Sequence, residues 1–343
     1  MTLIHYVVDP FSVHGREVIA FTKAFIRFAY DVFKNYRLQL LDHLIVTDRY
    51  GAANPERYTK DPKVLKLIEL LKERSGTCET SSSGLYSVLD YAIVLCLKLD
   101  TPLDKALSLS TAAHEFTHFM TEPYRDRVVE GFVRALASDI SEFKEIVDIV
   151  VACYDKTQEL LELSSEARKR LAEVVPELKS LEDTCVIGFR RFRDATWKFA
   201  SELVAEYIAL NYFVFLNRLP MLRIGSILTL PYVFRHYVQY MIDRYIEEIA
   251  KIAKSSAYAY YRLQYPEKPA VEAEERARKY NTMVDLFLEK LIVGDHPKLK
   301  GFMHEILLLM IKSGAVLPAD LAPKYPELYS DVMPVVRSMR RAV

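Results

Sequence analysis

The residues of this chain best placed to do chemistry are His114, Glu115 and His118, in the run His-Glu-Phe-Thr-His. Two histidines four apart on an α-helix project from one face, one turn apart, so both imidazoles can grip a single cation at about 2.0–2.1 Å. Zinc held this way lowers the pKa of a bound water to about 7, and the neighbouring Glu115 is placed to take the proton as general base for attack on a carbonyl. The expected cofactor is Zn2+. The flanking Thr111, Ala112, Ala113, Phe116, Thr117, Phe119 and Met120 are all uncharged, as suits a helix buried beneath a cleft, and no adjacent lysine or arginine competes with the ion.

A helix has to hold these residues, and the sequence supplies one. Residues 91–99 read as a strand. Asp100, Thr101, Pro102 and Asp104 then provide capping residues and an early proline for a helix over 105–120. Residues 3–8 and 44–47 read as further strands, with helical periodicity over 16–37 and 62–74. The polar stretch 48–60 and residues 75–84 read as surface loops. From residue 101 onward strand signals give way to amphipathic segments: 103–120, 126–163, 166–178, 191–216, 230–259, 271–293 and 297–313. Pro123, Pro176, Pro220, Pro266, Pro269 and Gly294 punctuate them.

The expected fold class is therefore α+β and predominantly α-helical, a small N-terminal sheet with the active-site helix followed by a large helical C-terminal part. The expected division is 1–125 as the α/β part, 126–265 as a helical part completing the site, and 266–343 as a C-terminal helical region. Arg337, Arg340 and Arg341 read as a solvated tail.

Residues 91–137 resemble the zincin metallopeptidases, whose active-site helix follows the edge strand of a small sheet. The metzincin branch has glycine and histidine where this chain has Thr121 and Tyr124, which excludes it. The resemblance is to the gluzincins, in which a glutamate on a following helix is the third ligand. It implies a zinc-dependent hydrolase acting on a peptide or protein substrate. The helical C-terminal part matches no pattern of these families.

Two glutamates qualify as that ligand. Glu130, before Gly131 and Phe132, resembles the Glu-Gly-Phe-Ala segment of aminopeptidase-type gluzincins, although its separation from His118 is shorter than theirs. Pro123 ends the motif helix and Asp126 can cap the next, so a helical hairpin would bring Glu130 level with His118. Gly131, a residue costing about 1 kcal/mol inside a helix, points to close approach of another group. Glu202, followed four residues later by Glu206, resembles the Glu-x-x-Ala-Asp segment of other gluzincins. There a carboxylate hydrogen-bonds a ligand histidine and fixes its tautomer. Salt bridges from Glu202 and Glu206 to Arg191 and Lys198 are the competing reading, as a helix-start position favoured by the macrodipole is for Glu130.

An oxyanion donor would complete peptide hydrolysis, and His236 is the leading candidate, with Arg235, Tyr207 and Tyr212 behind it. His5, His14, His43, His296 and His304 show no partner spacing and read as structural. Tyr258, Tyr260, Tyr261 and Tyr265 read as core aromatics or as the wall of a groove.

Composition narrows the alternatives. Lysine plus arginine and aspartate plus glutamate both number 46, so the chain lacks the basic footprint of a nucleic-acid binder. The apolar windows 203–215 and 224–234 are shorter than the roughly 20 residues that span a bilayer. The start lacks a secretory pattern, so the expected location is the cytoplasm. Cys78, Cys96, Cys153 and Cys185 have no zinc-knuckle or redox spacing and read as core residues. Scarce glutamine and abundant charge match a hyperthermophile bias, under which a disulfide such as Cys78 with Cys185 is conceivable. Two further functional readings stand beside the peptidase: a non-enzymatic helical interaction or structural protein whose zinc is vestigial or only stabilising, and zinc hydrolysis of a non-peptide amide. Oligomeric state leaves no mark in the sequence.

Overall fold

A computed structural model describes residues 2–32, 41–214, 241–294, 296–312 and 318–341. The chain forms two compact units interleaved along the sequence. The first comprises Met1–Tyr124, Glu202–Leu219 and Met303–Val343, the second Arg125–Ser201 and Pro220–Phe302. The described residues form an α+β, predominantly helical fold, as the sequence indicates.

The first unit is built on a sheet of β1 (Leu3–Val7), β2 (His43–Thr47), β3 (Ser83–Ser87) and β4 (Ala92–Cys96), in the order β1-β2-β4-β3. β1, β2 and β4 run parallel and β3 runs antiparallel to β4. β4, Ala-Ile-Val-Leu-Cys, is buried at every position, as a strand covered on both faces must be. The strand before the motif helix is therefore internal, and the expected edge position belongs to β3. β3 itself begins inside the stretch read as a loop. Its Ser-Gly-Leu-Tyr-Ser buries only Leu85, so the ladder to β4, rather than its own apolar content, makes it a strand. Tyr91 takes a positive φ of 44° ahead of β4, which sets the strand start at Ala92.

Helices α1 (Val13–Val32), α2 (Arg49–Ala53), α3 (Pro62–Ser75) and α4 (Pro102–Thr121) complete this part. α2 corrects the reading of 48–60 as a loop. Asp48 Oδ1 accepts from the Tyr50 and Gly51 amides, and Gly51 sits so tightly against the Val7 carbonyl that no Cβ fits there. α3 starts at Asp61, whose Oδ1 accepts from the Lys63 and Val64 amides. It lays Val64, Leu67, Ile68 and Leu71 against Val7, Ile45, Leu85 and Val94, an apolar stripe at helical spacing meeting a sheet face.

The second unit is helical. It holds α5 (Arg125–Asp139), α6 (Ser141–Leu161), α7 (Ser165–Val174), α8 (Leu178–Ile208), α9 (Glu247–Gln264), α10 (Ala270–Val293) and the start of α11 (Pro297–Lys312). The turns of α8 from Glu202 and of α11 from Met303 belong to the first unit. The single segment expected over 126–163 is two helices, broken where Ile140 turns extended at φ −131° and ψ 102°. α8 begins well before the expected residue 191, immediately beyond Pro176. Phe132, Phe143, Phe192, Phe199 and Phe287 form its aromatic core. Arg262, almost fully buried, donates to Glu177 Oε1 at 2.9 Å and to the carbonyls of Pro266, Lys268 and Val174. One guanidinium thereby satisfies helix ends that would otherwise hold unpaired acceptors. Tyr258 and Tyr260 pack on the apolar cluster around Cys153, and Tyr265 lies under Arg276.

The chain closes in the first unit with α12 (Pro318–Leu321), α13 (Pro326–Tyr329) and α14 (Val332–Arg341), which pack on α1 and α4. Arg337, Arg340 and Arg341 thus belong to a helix and not to a tail. Phe28 of α1 is fully buried, its ring edge-on to Phe213, Tyr325 and Tyr329 at 5.9, 5.3 and 5.5 Å between centroids.

The cysteines are buried, as core residues are, but they are paired: Cys78 with Cys96 and Cys153 with Cys185. The Cys78–Cys185 pairing is thereby corrected, each bridge lying within one unit. No helix among the described residues is long and apolar enough to cross a membrane; the window 224–234 lies outside them.

Candidate metal centre

α4 is anchored by a reciprocal capping box. Thr101 Oγ1 accepts from the Asp104 amide at 3.1 Å while Asp104 Oδ2 accepts from the Thr101 amide at 3.0 Å, and Pro102 occupies the first turn, where its missing N–H costs nothing. The helix therefore starts at Pro102, a turn earlier than expected. It buries nearly every residue from Ala106 to Thr121 against β3, β4 and the C-terminal helices.

His114 and His118 leave α4 one turn apart, with their Nε2 atoms 2.9 Å from each other. Glu202, on the last turns of α8, brings Oε2 to 3.1 Å from His114 Nε2 and 3.4 Å from His118 Nε2. Two imidazole nitrogens and a carboxylate oxygen thus converge, all within 4.8 Å of one another. Ligands held about 2.0–2.1 Å from a tetrahedral ion stand about 3.3 Å apart, so these separations fit a metal with adjustments of a few tenths of an ångström. The donor set, two nitrogens and one oxygen, is also one that zinc accepts.

Glu206, one turn beyond Glu202, accepts from His114 Nδ1 at 3.0 Å. With Nδ1 committed to Glu206, Nε2 is the nitrogen that faces His118 and Glu202 and would bind an ion once deprotonated. The competing salt bridges do not form: Arg191 pairs with Glu248 at 2.5 Å and Lys198 with Asp194 at 3.8 Å. Burial works against charge on Glu202, yet the two imidazoles hold its carboxyl well below the usual carboxylate range. Burial likewise disfavours charged His114, and the carboxylates of Glu202 and Glu206 outweigh it and raise that imidazole well above its ordinary value.

Glu115 projects toward β3. Burial pushes its carboxyl above the ordinary value, against the opposing pull of His114 and His118, and the Tyr86 backbone N–H donates to it. Gly84 makes the room: a Cβ at that position would lie 2.7 Å from Glu115 Oε1. Gly84→Ala must therefore displace either the edge strand or the carboxylate. The expected result is retained metal with at least a tenfold loss of any hydrolytic activity, as follows from misplacing a reacting group by about 1 Å. Unchanged activity in Gly84→Ala would show that the carboxylate does not need this seat.

Of the other residues singled out in the sequence, Glu130 lies exposed on α5 in the second unit and is not a member of the cluster. The close approach signalled by Gly131 comes from the Phe302 ring, which a Cβ there would strike. His236 and Arg235 lie outside the described residues. Tyr207 places its hydroxyl 3.4 Å from His304 Nδ1, and Tyr212 is buried in the π-helical turn Ala209–Phe213 that follows α8. Sequence reasoning missed Gly84 and the Tyr86 amide. A glycine directly after three serines was the one available signal for the first.

No protein-family model matches the chain, and neither a curated protein nor a solved structure was found to match it. The functional reading rests on the geometry and the motif.

Proposed function

We propose that this chain is a gluzincin-like zinc metallopeptidase in which His114, His118 and Glu202 hold the ion and Glu115 is the general base. The observation that carries the proposal is the convergence of His114, His118 and Glu202 within 4.8 Å, with an acid next to one histidine in sequence. When bound, zinc supplies a Lewis acid that polarises a carbonyl and acidifies water. The protein residues do the rest. Glu206 holds the proton of His114 at Nδ1 and so orients the ring. Glu115, seated by Gly84 and the Tyr86 amide, accepts a proton from the attacking water. Its burial raises its basicity toward the working pH, which favours proton transfer. The substrate is a peptide or protein.

Metal analysis after dialysis tests the ligand set. At this centre one zinc per chain is expected to survive dialysis, counted apart from any weaker site that dialysis empties; it should be absent from His118→Ala and from Glu202→Ala, about 10- to 100-fold weaker in Glu206→Ala, and unchanged in Glu130→Ala. A wild-type chain that takes up no zinc, or one that keeps it in Glu202→Ala and loses it in Glu130→Ala, would overturn the assignment.

A further inference from the structure

His5 and His43 are 38 positions apart in the sequence, and only the sheet brings them together. β1 and β2 run parallel with Leu3 opposite His43 and His5 opposite Ile45. Both histidines therefore project from the same face as residues offset by one pleat. His5 Nε2 lies 3.0 Å from His43 Nδ1, with the ring planes inclined at 31°. This separation is nearly that of the 2.9 Å His114–His118 pair, a few tenths of an ångström under the roughly 3.3 Å between two ligands of one tetrahedral ion.

We propose that His5 and His43 form a second divalent-cation site, sharing no residue with the His114 centre and independent of the peptidase reading. Both rings are partly exposed, so an ion can reach them from solvent. The mutual contact is the one hydrogen bond of either ring among the described residues, so no other partner has to be displaced. With both rings partly exposed, water would complete the coordination of the ion.

Two imidazole nitrogens select a borderline transition ion such as Zn2+, Ni2+ or Cu2+ over Mg2+ or Ca2+. Because one histidine is on β1 and the other on β2, the ion bridges the outermost parallel strand to its neighbour and stabilises that pairing.

The test uses the full chain carrying His114→Ala and His118→Ala, which removes the first site. Calorimetric titration with zinc chloride should give one equivalent, with a rise in Tm that magnesium chloride does not reproduce. Adding either His5→Asn or His43→Asn should abolish both effects. In the otherwise wild-type chain the same substitutions should lower the stoichiometry from two to one, which covers the case in which the double alanine variant fails to fold. A wild-type stoichiometry of one that is lost with His118, or a second equivalent that survives both His5→Asn and His43→Asn, would overturn the site.

Discussion

Glu115→Gln is expected to leave zinc content unchanged and to lower peptide turnover about 10²- to 10⁴-fold, the usual contribution of a general base. The substitution preserves shape, so the amide still fits beside Gly84, and its carbonyl oxygen can still accept from the Tyr86 N–H. What it removes is the capacity to take a proton. This separates the enzyme reading from one in which the metal only stabilises the fold, because a stabilising ion is indifferent to the change. A Glu115→Gln chain that retains zinc and hydrolyses as fast as the wild type would end the catalytic assignment and leave the metal site standing. If activity is found against a non-peptide amide and not against peptides, the same variant should lose it too, so the substrate profile distinguishes those two chemistries.

The second large effect is on stability. Phe28→Ala should destabilise the first unit by about 3–5 kcal/mol, the usual cost of truncating a fully enclosed aromatic side chain. The ring is sealed by Phe213, Tyr325 and Tyr329, and the Tyr329 hydroxyl donates to the Phe213 carbonyl at 2.9 Å, so collapse into the void would strain a buried hydrogen bond. Phe213 lies in the turn immediately beyond the helix end that presents Glu202 and Glu206. Loosening it should also weaken zinc binding, although Phe28 is not a ligand. Denaturant unfolding followed alongside zinc affinity checks both; a loss under about 1 kcal/mol would mean that the neighbouring rings refill the space.

The parts of this centre legible in the sequence were the local ones. Two histidines at helical spacing, a capping box and a proline at the helix start, and an uncharged flank all lie within a few turns, and α4 follows from them. The third ligand was not legible, because Glu130 and Glu202 each satisfy a local pattern and only tertiary packing brings one to the histidines. The Glu206–His114 hydrogen bond was foreseen as a role for Glu206 once Glu202 was considered, since a ligand imidazole needs its second nitrogen occupied. β3 escaped because an edge strand with one buried side chain carries almost no alternation signal, its stability coming from pairing with β4. The disulfides and the His5–His43 pair are contacts between distant residues, which no spacing rule encodes. Residues 48–60 were misread for a related reason: their polar residues cap α2 and do not simply face water.

The interleaving of the units has a consequence for biosynthesis. A nascent chain emerging from the ribosome presents both imidazoles long before Glu202 is made, and the rings that enclose Phe28 arrive only with the final helices. Any early product, whether stalled or clipped, therefore carries the motif as an unfinished pair without its carboxylate, and the three-donor arrangement cannot form until Glu202 has emerged.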